Sequence, residues 1–213
     1  MNDRRPLASR NLGVFRVLAS RLARARVAPN AISVSSVGFA ALAGLALAST
    51  RLGPGWTPWA WVAGALGIQL RLVANLLDGM VAVEGGLGTP VGGFYNEVPD
   101  RIADTLILVG AGAALADLRM GLLLGFGASW VAVMTAYIRA LGASLGVGQA
   151  FLGPMAKPQR MALITVAAMI SACGFAEAPP QQIMAVALWI VVAGGLITCA
   201  RRLWSVGHAL RSR

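Results

Sequence analysis

The chain has 213 residues, of which 57% are hydrophobic and 12% charged, with a mean hydropathy of +0.71 and a net charge of +10. Soluble domains run about 45–50% apolar and about 25% charged, so this composition excludes a disordered chain, a collagen, a disulfide scaffold and an ordinary cytosolic enzyme. It points to an all-α, polytopic membrane protein forming one domain over residues 1–213, since spans of about 20 apolar residues leave room for roughly six or seven helices.

The positive charge is placed for a membrane and not for nucleic acid. Of the 18 basic residues, nearly all Arg, seven fall within the first 26 positions and four more are Arg201, Arg202, Arg211 and Arg213. Residues 7–27 alternate Arg with apolar residues. At 100° per residue Val14, Phe15, Leu18, Ala19, Leu22 and Ala25 share one face, with Arg10, Arg16, Arg21 and Arg24 opposite. That pattern predicts an amphipathic helix lying on an anionic leaflet. No uninterrupted apolar stretch follows the basic start, so the segment does not read as a secretory signal and is expected to remain in the mature protein.

Six apolar stretches follow, predicting spans at about 31–50, 59–83, 93–115, 120–141, 160–175 and 183–200. Turns are signalled by Gly53-Pro54-Gly55, by the Gly-rich run Gly85 to Pro90, by Asp117 and Arg119, by the loop from Gly142 to Gln159, and by Glu177, Pro179 and Pro180. An even number of spans puts both termini on one side. Fourteen basic residues collect on that side against Arg51 and Arg119 on the other, which predicts cytoplasmic termini in the cell (inner) membrane. The six Trp read as an interfacial belt, and Cys173 and Cys199, in successive spans, as free thiols.

The acidic residues are more informative. Five of the eight lie between Asp78 and Asp104, in or near the bilayer, where each ionised group costs at least about 2.5–3.5 kcal/mol at a helix centre. Their spacing is helical. Arg71, Asn75, Asp78 and Ala82 step by four, three and four along the second span, and Asn96, Asp100 and Asp104 by four along the third. Residues three or four apart stack on one face, so the two stripes are expected to pack together and hold carboxylate and amide oxygens face to face. Oxygen donors suit Mg2+ or Mn2+, and the glycines around them let a backbone approach a phosphate. Bland readings stand beside these. Asp78 and Asp100 could be structural partners of Arg71 or Arg101, the Asn residues could simply join helices, and Pro99 could only bend its helix.

Asp78-Gly79-Met80-Val81-Ala82, Gly92 and Asp100 keep the register of the pattern D-x-x-D-G-x-x-A-R-x8-G-x3-D-x3-D, and so the chain resembles the CDP-alcohol phosphotransferase (CDP-alcohol phosphatidyltransferase) family. Asn75, Val83 and Asn96 stand where the pattern has Asp, Arg and Asp. Pro29-Asn30-Ala31-Ile32, Ala136-Tyr137-Ile138-Arg139-Ala140 and Lys157-Pro158-Gln159-Arg160 resemble further family segments.

The resemblance implies an interfacial helix plus six spans, often as a homodimer. It also implies transfer of a phosphatidyl group from a CDP-linked lipid to a small alcohol, releasing CMP with Mg2+ or Mn2+. By position Asp78, Asn75, Asn96 and Asp100 would hold metal, with Asp104, one turn beyond Asp100 on the same stripe, best placed to make up the lost charge and Glu84 and Glu97 as further candidates. Asp100 would deprotonate the alcohol. Gly79, Ala82 and Gly92 would make room for the cytidine diphosphate, while Arg71, Arg139, Lys157 or Arg160 would contact phosphate or acceptor. The alternatives are a small transporter, or a lipid-binding relative without catalysis.

Overall fold

A computed structural model describes residues 13–53, 55–174 and 178–212, apart from the side chain at 84. Residues 7–12 of the expected amphipathic helix, including Arg10, and Pro54 and Glu177 of the expected turns lie outside the described residues, as does the Glu84 side chain. The described chain is all-α: α1 (Gly13–Arg24), α2 (Pro29–Ala48) running into a 3-10 turn (Ser49–Arg51), α3 (Thr57–Glu84), α4 (Gly92–Ala113), α5 (Leu118–Ser144), α6 (Lys157–Cys173) and α7 (Pro180–Arg211).

Local chemistry sets the helix ends. Proline lies in the first turn of α2, α3, α6 and α7, where its missing N–H costs nothing. The Asp117 carboxylate caps α5 by accepting from Met120 N at 3.1 Å, satisfying one of the otherwise orphaned N–H groups. Gly174 ends α6 with φ 64°, a left-handed conformation that glycine adopts without strain. Pro99 lies inside α4 without ending it.

This is a multi-pass membrane protein. The stretches Pro29–Arg51, Thr57–Val83, Leu118–Ser144 and Pro180–Arg211 are long and apolar enough to cross a bilayer. Among the described residues α4 and α6 do not reach that standard, because α4 carries Glu97, Asp100, Arg101 and Asp104 and α6 has only 17 residues. The last helix runs on to Arg211, beyond the expected end near residue 200.

The six long helices pack side by side in a ring ordered α3, α2, α4, α5, α7, α6 and back to α3. The ring sets α2 between α3 and α4, and the two polar stripes meet across the interior, where Arg71 bonds Asp100 and Asp104 and Asn75 bonds Asn96. Small residues on α2 allow this. Ala40 and Ala43 are fully buried, and a Cβ on Gly44 would fall 2.4 Å from the Leu106 carbonyl of α4. Close backbone approach of this kind is how helices associate without a hydrophobic driving force in lipid. Trp61, Ile68, Ile107, Met161 and Leu188, all fully buried, fill the ring away from the polar end. Phe15, Ala19 and Leu22 of α1 pack on the C-terminal part of α3, beside Leu77 and Val81, while Val14 and Leu18 stay exposed.

Candidate active site

The polar residues form two layers inside one end of the ring. The deeper layer is a buried ionic cluster. Asp104 of α4 accepts from Arg71 Nη2 of α3 at 2.8 Å through Oδ1 and from Arg160 Nη2 of α6 at 2.9 Å through Oδ2. Arg71 Nη2 also reaches Asp100 Oδ1 at 3.0 Å. Arg160 Nη1 donates to the Met155 carbonyl at 3.0 Å and to Thr135 Oγ1 at 3.3 Å. Burial of charge is costly unless the ions are paired and hydrogen-bonded. The pairing is incomplete, because Arg71 Nε, Arg71 Nη1 and Arg160 Nε are buried with no partner among the described residues.

The upper layer lines a cavity of about 470 Å3. Asp100 Oδ2 accepts from Lys157 Nζ at 2.5 Å, with Arg101 Nη2 3.6 Å away. Lys157 also donates to Asn75 Oδ1, and Asn75 Nδ2 donates to Asn96 Oδ1 at 3.1 Å. Asp78 Oδ2 accepts from Ser33 Oγ of α2 at 2.6 Å. Glu97 binds Arg139 at 2.5 Å and Arg101 at 3.3 Å. Arg139 also bonds Gln149 and lies over the Phe151 ring.

Of the residues expected from sequence, Asn75, Asp78, Gly79, Ala82, Gly92, Asn96, Asp100, Arg139, Lys157 and Arg160 line this cavity. Arg71 and Asp104 do not: they lie beneath it, 0% and 1% exposed. Asp104, expected as a ligand, is committed to two guanidinium groups. The competing reading of Asp100 as a partner of Arg71 and Arg101 is realised in its ion pairs. At the mouth, a Cβ on Gly92 would meet only Thr89 Oγ1 at 3.8 Å, and one on Gly93 nothing within 4 Å. The backbone there is open to a ligand. Val83, at the pattern's Arg position, is 56% exposed and does not line the cavity.

Ser33, Thr135, Gln149 and Arg202 also line the cavity and were not singled out from sequence. Arg202 Nε donates to the Leu152 carbonyl at 2.9 Å and Nη1 to the Thr135 carbonyl. A signal for it existed: Gly195, Thr198, Cys199 and Arg202 share one buried face of α7, at the spacing of stacked residues. Ser33 had no such signal, since its link to Asp78 spans 45 positions.

Among the described residues the donor set does not fit Mg2+ or Mn2+. These ions take several oxygens, with carboxylates supplying the charge. Among the described residues no three His, Cys, Asp or Glu side chains converge to hold a metal. Asn75 donates to Asn96 Oδ1 and accepts from Lys157, and the Asp100 carboxylate is ringed by three cations. Among the described residues of the cavity wall Arg101, Arg139, Lys157, Arg160 and Arg202 face three acids, Asp78, Glu97 and Asp100. Such a wall suits an anionic ligand.

Comparisons with known proteins agree with this architecture. No family model matches the chain. It is 27% identical over 205 residues to the phosphatidylinositol phosphate synthase of Mycobacteroides abscessus, covering 92% of this chain and 82% of that protein. Among solved structures it is similar to the phosphatidylinositol phosphate synthase of Mycobacterium tuberculosis with CDP-DAG bound, at TM-score 0.74 and 22% identity, covering 92% of this chain and 94% of that one. The same protein in complex with manganese and citrate matches at TM-score 0.73 and 23% identity, over 90% of this chain and 88% of that one.

Proposed function

The chain belongs to the CDP-alcohol phosphatidyltransferase family, and on that premise we propose that it moves a phosphatidyl group from a CDP-linked lipid to an alcohol, with CMP leaving. The observation that carries this reading is the cavity wall itself, in which Asp78 and Asp100 sit among five cationic side chains beside an open glycine backbone.

The chemistry follows from the side chains. The donor's diphosphate meets Lys157 and the guanidinium groups, whose charge offsets that of the phosphates and of the departing CMP. The acceptor hydroxyl attacks the phosphorus that bears the lipid. A new P–O bond forms, the P–O bond to CMP breaks, and the hydroxyl proton passes to the Asp100 carboxylate. Ser33 holds Asp78 at the cavity wall, and Gly79, Ala82 and Gly92 leave room for the cytidine. Arg139 and Arg202 favour a phosphorylated acceptor over a cationic one, in keeping with the inositol phosphate products in the relatives' names. In this reading α4 and α6 also cross the bilayer, their charges satisfied inside the ring, and the site opens to the cytoplasm.

The test is CMP release from CDP-diacylglycerol by the purified protein, with inositol phosphate, glycerol phosphate, serine and choline as acceptors. Release with a phosphorylated acceptor, lost in Asp100→Asn, is expected. Folded protein that releases CMP with none of the four would contradict the reading. A second reading, lipid binding without turnover, is favoured by the three cations gathered on Asp100, and donor binding without CMP release would select it.

A further inference from the structure

We infer that Lys157 is a built-in replacement for a divalent cation: its ammonium group, held by Asn75 and Asp100, is the fixed positive charge that receives the donor's diphosphate, so donor binding needs no added metal. This rests on the CDP-lipid reading above.

Three observations carry it. The first is position. Lys157 Nζ bonds Asn75 Oδ1 and Asp100 Oδ2, the latter at 2.5 Å, and so joins α3 to α4 through two oxygens expected as metal ligands. An ion coordinating Asp100 Oδ2 would have to displace the ammonium. Lys157 is the only lysine among the 18 basic residues. A compact ammonium with three donors fills such a pocket as a point charge, where a planar guanidinium does not.

The second is the amide pair. Two carboxylates in place of Asn75 and Asn96 would set like charges across 3.1 Å, an arrangement that requires a cation between them. The Asn75 N–H bond to Asn96 Oδ1 closes that gap without one, while the Asn75 oxygen remains turned to Lys157. One side chain that both donates and accepts is what this chain of contacts needs, and aspartate cannot provide it.

The third is charge. Replacing two carboxylates by amides removes two negative charges, and a single ammonium in place of a divalent ion removes one positive charge, so the two changes largely offset each other. Lys157 uses two of its three donors on Asn75 and Asp100 and lines the cavity, leaving a third for a phosphate oxygen.

The experiment uses the full chain in phosphatidylcholine nanodiscs. Mn2+ binding is read from loss of the free-ion electron paramagnetic resonance signal, for the wild type and for the Asn75→Asp, Asn96→Asp, Lys157→Met triple variant. Binding of CDP-diacylglycerol is read separately with and without EDTA, for the wild type, Lys157→Met and Lys157→Arg, each first checked for folding by its tryptophan-monitored melt. The inference expects no micromolar Mn2+ site in the wild type and one gained by the triple variant. It expects donor affinity changed less than about twofold by EDTA, reduced at least about tenfold by Lys157→Met, and less so by Lys157→Arg. Stoichiometric micromolar Mn2+ binding by the wild type, or donor binding abolished by EDTA, overturns it. A wild type that binds no CDP lipid in either buffer sinks the functional reading instead, and the Mn2+ titration still decides whether the pocket takes a metal.

Discussion

Arg160 on α6 donates from Nη2 to Asp104 Oδ2 on α4 across 2.9 Å, with both side chains 2% exposed. The pair ties together two helices that are not neighbours in the ring, and Arg71 closes the third side from α3. Among the described residues Asp104 is the only carboxylate that touches both guanidinium groups, so it holds the floor on which the cavity rests.

Removing it should therefore act on the fold. Asp104→Ala leaves two buried cations short of their counter-ion, and breaking a buried pair in this way costs about 3–5 kcal/mol. A thermal melt in detergent should fall steeply for Asp104→Ala and less for Asp104→Asn, which keeps an acceptor. A wild-type melt for Asp104→Ala would argue against a structural role.

Asp100 should behave differently. Asp100→Asn keeps the shape and an acceptor oxygen but removes the proton-accepting carboxylate. General-base contributions are typically about 10²–10⁴-fold, so CMP release should fall at least about a hundredfold while the melt shifts little. A fall of a few-fold would move the base elsewhere, with Asp78 next in line.

Arg139 offers a separate readout. It is held by Glu97 and Gln149 at the cavity wall. Loss of a charge-assisted hydrogen bond is worth about 1.5–3 kcal/mol, so Arg139→Gln should raise the KM for a phosphorylated acceptor about tenfold or more and leave donor affinity nearly unchanged. An equal loss of both affinities would place Arg139 on the donor instead.

Helix packing can be tested at glycine. A Cβ on Gly110 would sit 2.3 Å from the Gly44 carbonyl oxygen, whereas one on Gly127 would meet nothing within 4 Å. Overpacking of this kind costs about 1–3 kcal/mol. Gly110→Ala should lower the melting temperature and Gly127→Ala should not. Equal melts would mean that the α2–α4 crossing is looser than described.

What could be read from sequence was what lies along a single helix. Steps of three and four placed Asn75 with Asp78 and Asn96 with Asp100 before any helix had a neighbour, and the family pattern added Lys157 and Arg160. Periodicity names a face but not what that face meets. It therefore did not foresee that Ala40, Ala43 and Gly44 let α2 come between the two helices, while their stripes still meet through Arg71 and Asn75. It could not separate Asp100, which lines the cavity, from Asp104, one turn deeper on the same stripe. The bond from Ser33 to Asp78 and the reach of Lys157 to Asn75 span 45 and 82 positions and exist only once the ring closes. Arg202 was hidden for another reason: it stands in a basic cluster that the membrane rule already explains.

The most direct measurement of the central claim is mass spectrometry of the lipids formed when purified protein meets CDP-diacylglycerol and inositol phosphate in vesicles, with CMP counted in the same reaction. A new phospholipid carrying the acceptor, equimolar with CMP and absent from Asp100→Asn, is the expected product. Folded protein that binds the donor yet yields neither lipid nor CMP, with any of the phosphorylated alcohols, would contradict it.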